Sequence, residues 1–270
     1  MLDRMLDRAR SLPVIRQYRK RKYDRRFLNN RFVNNRSDNL FRGVYPNFAA
    51  ARQALPDVAP AGYDNPASAG MYRQWLDTLR VEDYPVLFWL SQIKTRINSL
   101  VDFGGHIGFL YYSARRFINA SDSFIWQAMD VPAVIAAGRA LAKERGADEL
   151  TFIDSRETVP ACDVFIASGS LQYIEPTLAD LLRNAATLPR HVLVNMTPLH
   201  DQRGFFTVNS IGTAYCVYGI QQKPLFFATL ESLAYQRVAA WTNPGKQCHI
   251  PFHPEAGPVV YHGGYWTRSD

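Results

Sequence analysis

The sequence predicts a parallel, doubly wound α/β sheet. Five short apolar runs, helical stretches between them, and a glycine-rich turn at the end of the first run all point to it. The runs are "SLVDF" (99–103), "SFIWQAMD" (123–130), "ELTFI" (149–153), "CDVFIAS" (162–168) and "HVLVNM" (191–196). Helical patterns occupy about 108–119, 132–146 and 176–188, with another at 224–235. Two further runs, "QRVAAWT" (236–242) and "PVVYHGGYW" (258–266), would complete a seven-stranded sheet.

Ahead of this domain, residues 40–97 carry a mostly helical pattern broken at Pro56, Pro60, "GYDNPASAG" and Pro85. They are expected to form a helical cap. Residues 1–39 form an arm and linker. Met1, Leu2, Met5, Leu6, Ala9 and Leu12 recur at helical spacing until Pro13, and "RQYRKRKYDRRF" follows before the Asn-rich "NNRFVNNRSDN". The domain boundaries are thus 1–39, 40–97 and 98–270.

Charge is concentrated in the arm. Residues 1–36 hold twelve Arg/Lys against three Asp, a net +9, so the rest of the chain carries −2 of the overall +7. The longest apolar runs, such as "YPVLFWL" (84–90), are far too short to span a bilayer. No signal-peptide pattern opens the chain, and Cys162, Cys216 and Cys248 are scattered, so a cytoplasmic location is expected. Three readings of the arm stand beside one another: a solvated tail, a nucleic-acid arm of interleaved Arg and Tyr, and an element lying on an anionic membrane surface. The apolar stripe favours the membrane, and nucleic acid ranks third.

The motif that carries chemistry is "VDFGGHIG" (101–108). It lacks the Lys-Ser/Thr of a nucleotide P-loop, and it fails G-x-G-x-x-G because positions 106 and 109 are His and Phe. D-x-G-x-G-x-G fits at Asp102, Gly104 and Gly108, with His106 in place of the middle glycine and Gly105 beside it. A ligand-free strand-to-helix turn is the plain alternative. The next strand ends in Asp130, a carboxylate able to accept both hydroxyls of a ribose. The third ends in Asp154 and Ser155, and the fourth runs into "ASGSLQYIEP". "CHIPFHP" (248–254) places Pro251 between His249 and His253, so no metal site is expected there.

Together "VDFGGHIG", "QAMD" and "FIASGSLQYIE" resemble the motifs of class I S-adenosylmethionine-dependent methyltransferases, over roughly residues 98–242. More narrowly, "FRGVYPNFAAARQA", "GYD", "ASGSLQYIE", "VNMTPL" and "VVYHGGYW" resemble a family of methyltransferases associated with surface-polysaccharide gene clusters. The resemblance implies a Rossmann-like seven-stranded methyltransferase sheet and S-adenosylmethionine as cofactor. Asp102, Gly104, Gly105 and Gly108 would hold its methionine part and Asp130 its ribose. Asp154 and Ser155 would lie by the adenine, and Ser168, Gly169 and Ser170 would border the sulfonium. The acceptor would be a small or lipid-linked glycan, methylated on a hydroxyl. The loop after the fourth strand departs from the Asn/Asp-Pro-Pro-Tyr/Phe pattern of base-amine methylation, which leans toward oxygen. A hydroxyl needs a proton acceptor, for which His106, Tyr173 and His200 are candidates. Two other functions stay open on the sequence: a non-catalytic scaffold at the membrane, and an RNA methyltransferase guided by the arm.

Overall fold

The computed structural model describes residues 13–29, 39–57, 62–117 and 124–269. Five parallel strands form its centre: β2 (Ser99–Phe103), β3 (Ile125–Asp130), β4 (Leu150–Asp154), β5 (Val164–Ser168) and β6 (His191–His200). The chain moves outward from β2 to β3 and β4, then crosses back to place β5 on the other side of β2. That reversal opens a crevice at the carboxyl ends of β2 and β5, where ligands bind in open α/β sheets.

Two long strands complete the sheet as expected. β10 (Val259–Thr267) pairs antiparallel with both β6 and β9 (Gln236–Cys248), so the order is β4-β3-β2-β5-β6-β10-β9. Strand residues alternate between two buried layers. Leu100, Ala128 and Ile166 pack against the helices spanning 84–93, 109–114 and 132–145. Val101, Met129, Phe165 and Val194 face the helices spanning 178–183 and 223–231. Burial on both faces explains why these strands read as continuous apolar runs.

Residues 40–97 differ in one respect from the helical expectation. Leu40–Tyr45 form strand β1, which pairs antiparallel with β7 (Phe205–Ser210); β7 in turn pairs with β8 (Tyr215–Gln222). The local pattern gave no notice of β1 because its partner strand lies far along the chain. This second sheet joins the first through Leu199 and His200 of β6, opposite Gln221 and Gln222. β6 can serve both sheets because it bends at Met196 (φ 51), where its register with β10 also slips.

Among the described residues, Pro13 is the first of a helix, Pro13–Leu28; in a first turn a proline's missing N–H costs nothing. Phe27 is fully buried, and the Tyr215 hydroxyl donates to the carbonyls of Phe27 and Leu28 at 3.1 and 2.8 Å. The Tyr23 hydroxyl donates to the Phe41 carbonyl at 2.8 Å. The C-terminal end of the basic helix is therefore pinned to the second sheet, while Val14, Ile15 and Tyr18 stay exposed. The expected helix over Met1–Leu12 lies outside the described residues.

Candidate active site

A cavity of about 230 Å³ opens at the crevice between β2 and β5. Its inner wall is the glycine turn. Gly104 has φ +74, and a Cβ there would collide with the Cβ of Ser170; a Cβ on Gly105 would sit 2.8 Å from the Asp102 carboxylate. The turn is so close-packed that only hydrogen fits, which is the physical reason for glycine at both positions. Gly108, at φ +87, starts the helix Phe109–Ala114 and is itself outside the cavity, packed on Leu150.

His106, in the position of the middle glycine, adopts φ 54, a left-handed backbone that costs a non-glycine residue about 1–2 kcal/mol. Its side chain turns to the cap. Nε2 lies 2.9 Å from the Ser68 carbonyl, and since a carbonyl only accepts, Nε2 carries the proton. The ring meets Tyr72 edge-on at 4.8 Å. Nδ1 is buried without a partner, and burial lowers the imidazole to about 4.

Asp130 closes one end of the cavity. Its Oδ2 accepts from the His106 backbone N–H at 2.9 Å and its Oδ1 from the Val131 N–H at 2.8 Å, leaving a lone pair on each oxygen. Burial outweighs these bonds and raises the carboxyl to about 6. Asp102 is buried to 2% exposure, and its Oδ2 makes no close hydrogen bond. Burial drives it up to about 7; the Trp126 indole opposes this and Asp130 adds to it.

The other wall follows β5. The Ser170 hydroxyl donates to the Phe103 carbonyl at 2.6 Å, tying the two strand ends together. Gly169 takes φ +75, and Ser168 receives the Asn195 amide at 3.3 Å. Gln172 donates to the Gly169 carbonyl at 2.7 Å while its Oε1 is unpartnered. Tyr173 lies between the two sheets, its hydroxyl donating to Asn209 at 3.3 Å and its ring stacked on Tyr63. Burial holds its phenol well above the ordinary 10.0.

The cavity thus brings together Asp102, Gly104, Gly105, His106, Asp130, Ser155, Ser168, Gly169, Ser170 and Tyr173. Asp154 stands outside it. Although paired with Asp130 across the strands, its carboxylate is clamped by the Arg156 guanidinium, which lowers it to about 2. His200 is likewise outside, its Nδ1 accepting backbone N–H groups of Gln202 and Arg203 at 3.1 and 3.2 Å. Asp201, adjacent in sequence, pairs with Lys223 rather than with that histidine.

Sequence reasoning missed Tyr63, Tyr72, Arg80, Gln172 and Lys246, which also line the cavity. Arg80 makes a two-point pair with Asp83, both distances 2.8 Å, and lies 4.6 Å over the Phe109 ring. Only the "GYD" segment around Tyr63 offered a signal.

The strand order and the site geometry invite comparison with solved structures. Human N-acetylserotonin methyltransferase, in complex with S-adenosylmethionine, aligns over 83% of this chain and 63% of its own, with 15% identity and a TM-score of 0.51. The N-terminal domain of EvdMO1, studied in the presence of S-adenosylhomocysteine and D-fucose, aligns over 76% of this chain and 95% of its own, with 10% identity and a TM-score of 0.50. The chain has the class I methyltransferase fold. No protein-family model and no curated protein matches the sequence. Within this methyltransferase fold, the residues present suit S-adenosylmethionine. His106 Nδ1 and Gln172 Oε1 are orphaned acceptors on residues lining one cavity, Asp102 Oδ2 is held only loosely by the Trp126 indole, and a ligand with an ammonium, hydroxyls and an amino group supplies donors of the kind they lack.

Proposed function

We propose that the protein is an S-adenosylmethionine-dependent methyltransferase that methylates a sugar hydroxyl in a surface-glycan pathway. The observation that carries this reading is the set of unpaired acceptors around a glycine-walled cavity at the sheet's switch point. Asp130 would accept the ribose hydroxyls, and Ser155 would border the adenine. Asp102 and Gln172 would receive the ammonium. When bound, the cofactor supplies a methyl carbon already activated on a positive sulfur, so the protein's work is chiefly to align the acceptor and exclude water. Tyr63, Tyr173, Met196 and Ile211 would form the acceptor's wall.

Of the three proposed proton acceptors, none is a strong base in this setting. His106 is too acidic, Tyr173 stays protonated, and His200 is outside the cavity. Tyr173 and His106 are better placed as orienting groups, the first through the lone pairs of a hydroxyl whose proton goes to Asn209, the second through its free Nδ1 lone pair.

The membrane part of the proposal rests on the basic helix. Its sixteen residues include seven Arg/Lys and one Asp, with Val14 and Tyr18 exposed among them. Each basic residue near an anionic surface contributes about 1 kcal/mol, which suits a lipid-linked glycan acceptor. Among the described residues, no helix is long and apolar enough to cross a membrane.

Methyl-labelled S-adenosylmethionine, offered with free and lipid-linked glycans, tests the reaction. Label in a base-stable methyl ether is the expected result. Label released by mild base as a methyl ester, or found only in RNA, would overturn the sugar-hydroxyl reading.

A further inference from the structure

Lys246 stands in the cavity wall because β9 departs from regular pairing. Asn243 pairs with Tyr261 and Gln247 with Val260, so three residues, Pro244, Gly245 and Lys246, are extruded from the ladder. Bulges of this kind re-aim side chains beside functional sites. The ammonium lies 4.8 Å over the Tyr261 ring, and among the described residues it has no hydrogen-bond or ion-pair partner. The charged and titratable groups acting on it are Arg80, Glu82 and Cys248; burial is the largest influence and lowers it to about 8. A half-buried cation at a cavity wall, with the Glu82 carboxylate near but no direct ion pair, has room for an anion from the ligand.

Two cations therefore line the cavity, and they occupy different places. Arg80 covers the first residue of the helix that follows the glycine turn, and Asp83 takes its Nε and Nη2, leaving Nη1. That position suits the carboxylate of the cofactor's methionine part. Lys246, although near enough to Arg80 for the two charges to repel, lies over Tyr261, whose hydroxyl contacts Tyr218, a ring packed edge-on against Tyr173. We propose that Lys246 recognises an anionic group, carboxylate or phosphate, on the methyl acceptor itself. The inference rests on the methyltransferase reading and deepens it: the acceptor is an acidic glycan, a uronic acid or a phosphorylated sugar, rather than a neutral one.

The test uses the full chain saturated with S-adenosylhomocysteine, its lysines carrying carbon-labelled methyl groups, and Lys246 identified from the Lys246→Arg spectrum. D-glucuronate or inorganic phosphate should raise the Lys246 titration midpoint by about one pH unit, a tenfold preference for the charged form, while D-glucose should not. Calorimetry should show S-adenosylhomocysteine and 5′-methylthioadenosine binding Lys246→Met within about twofold of wild type. In methyl transfer, Lys246→Arg should keep most of the affinity for an acidic acceptor that Lys246→Met loses. A midpoint unmoved by either anion overturns the proposal. So does selective loss of S-adenosylhomocysteine, but not of 5′-methylthioadenosine, in Lys246→Met, because the cofactor's own carboxylate would then be the partner. Equal inactivity of the Met and Arg variants would also overturn it, pointing to proton removal instead. Failure of wild type to bind S-adenosylhomocysteine would count against the methyltransferase reading itself.

Discussion

The two sides of the cavity are built from different kinds of chain. On one side, β2 through β5 present their carboxyl ends in consecutive register, so Asp102, Asp130 and Ser168 arrive at the crevice because their strands end there. On the other, Tyr63 and Tyr72 come from the cap, Tyr173 and Ile211 from around the second sheet, and Lys246 from a bulge in β9. The first side is local and regular, and under the proposed function it would hold a group common to a whole fold. The second is assembled from distant segments, and specificity for an acceptor belongs there.

The sharpest way to break this contrast is at Gly104. Gly104→Ala forces a Cβ into Ser170 at φ +74, so binding of S-adenosylhomocysteine should disappear and stability should fall by about 2 kcal/mol. Unfolding in denaturant and calorimetry measure the two effects. Asp130→Asn comes next. It keeps the shape and removes the charge, and cofactor affinity should fall roughly 10–100-fold through weakened hydrogen bonds to the ribose.

pH sharpens the same side. Asp102 has a folded value near 7 against an ordinary 3.8, so the folded state holds its proton more tightly than the unfolded state does. The stabilisation this gives is complete below about 3.8 and is lost as pH rises through 7. Asp102→Asn, which cannot ionise, should therefore gain stability relative to wild type as pH climbs from 4 to 7, in thermal melts without ligand. Cofactor binding should run the other way, because ionised Asp102 and Asp130 are the better acceptors. Wild-type affinity should improve through the range of about 6 to about 7, and a flat profile would remove these carboxylates from the binding account.

Smaller effects probe the junctions between the two sides. His106→Gly relieves the left-handed strain but loses the Ser68 hydrogen bond and the contact with Tyr72. Net destabilisation of about 1–2 kcal/mol is expected, with cofactor affinity changed less than about threefold. Tyr215→Phe removes the donor to Phe27 and Leu28, and hydrogen exchange should show the basic helix opening more easily, by about 1 kcal/mol.

What could be read from the sequence follows the same division. The parallel strands announced themselves because burial on both faces makes runs such as "FIAS", and Gly104 because nothing else fits. His106 broke the expected motif yet kept its backbone conformation, a compensation only the cap reveals, since Ser68 and Tyr72 receive its ring. β1, β7 and β8 left weaker marks, because each depends on partners in another segment or sheet. Lys246 was harder to read for a related reason: Pro244 and Gly245 in "NPGKQC" mark a break in the strand, but nothing local says that the lysine after them reaches the cavity. Asp154 shows the converse case, a strand-tip carboxylate of the expected kind that its neighbour Arg156 engages outside the cavity.

The central claim is that this cavity binds S-adenosylmethionine through Asp130. Calorimetric titration of the wild-type chain and of Asp130→Ala with S-adenosylhomocysteine tests it most directly. The account predicts dissociation in the micromolar range, about −8 kcal/mol, for wild type, and loss of measurable binding in the variant. A folded wild-type protein that neither binds nor is thermally stabilised by the ligand would contradict it.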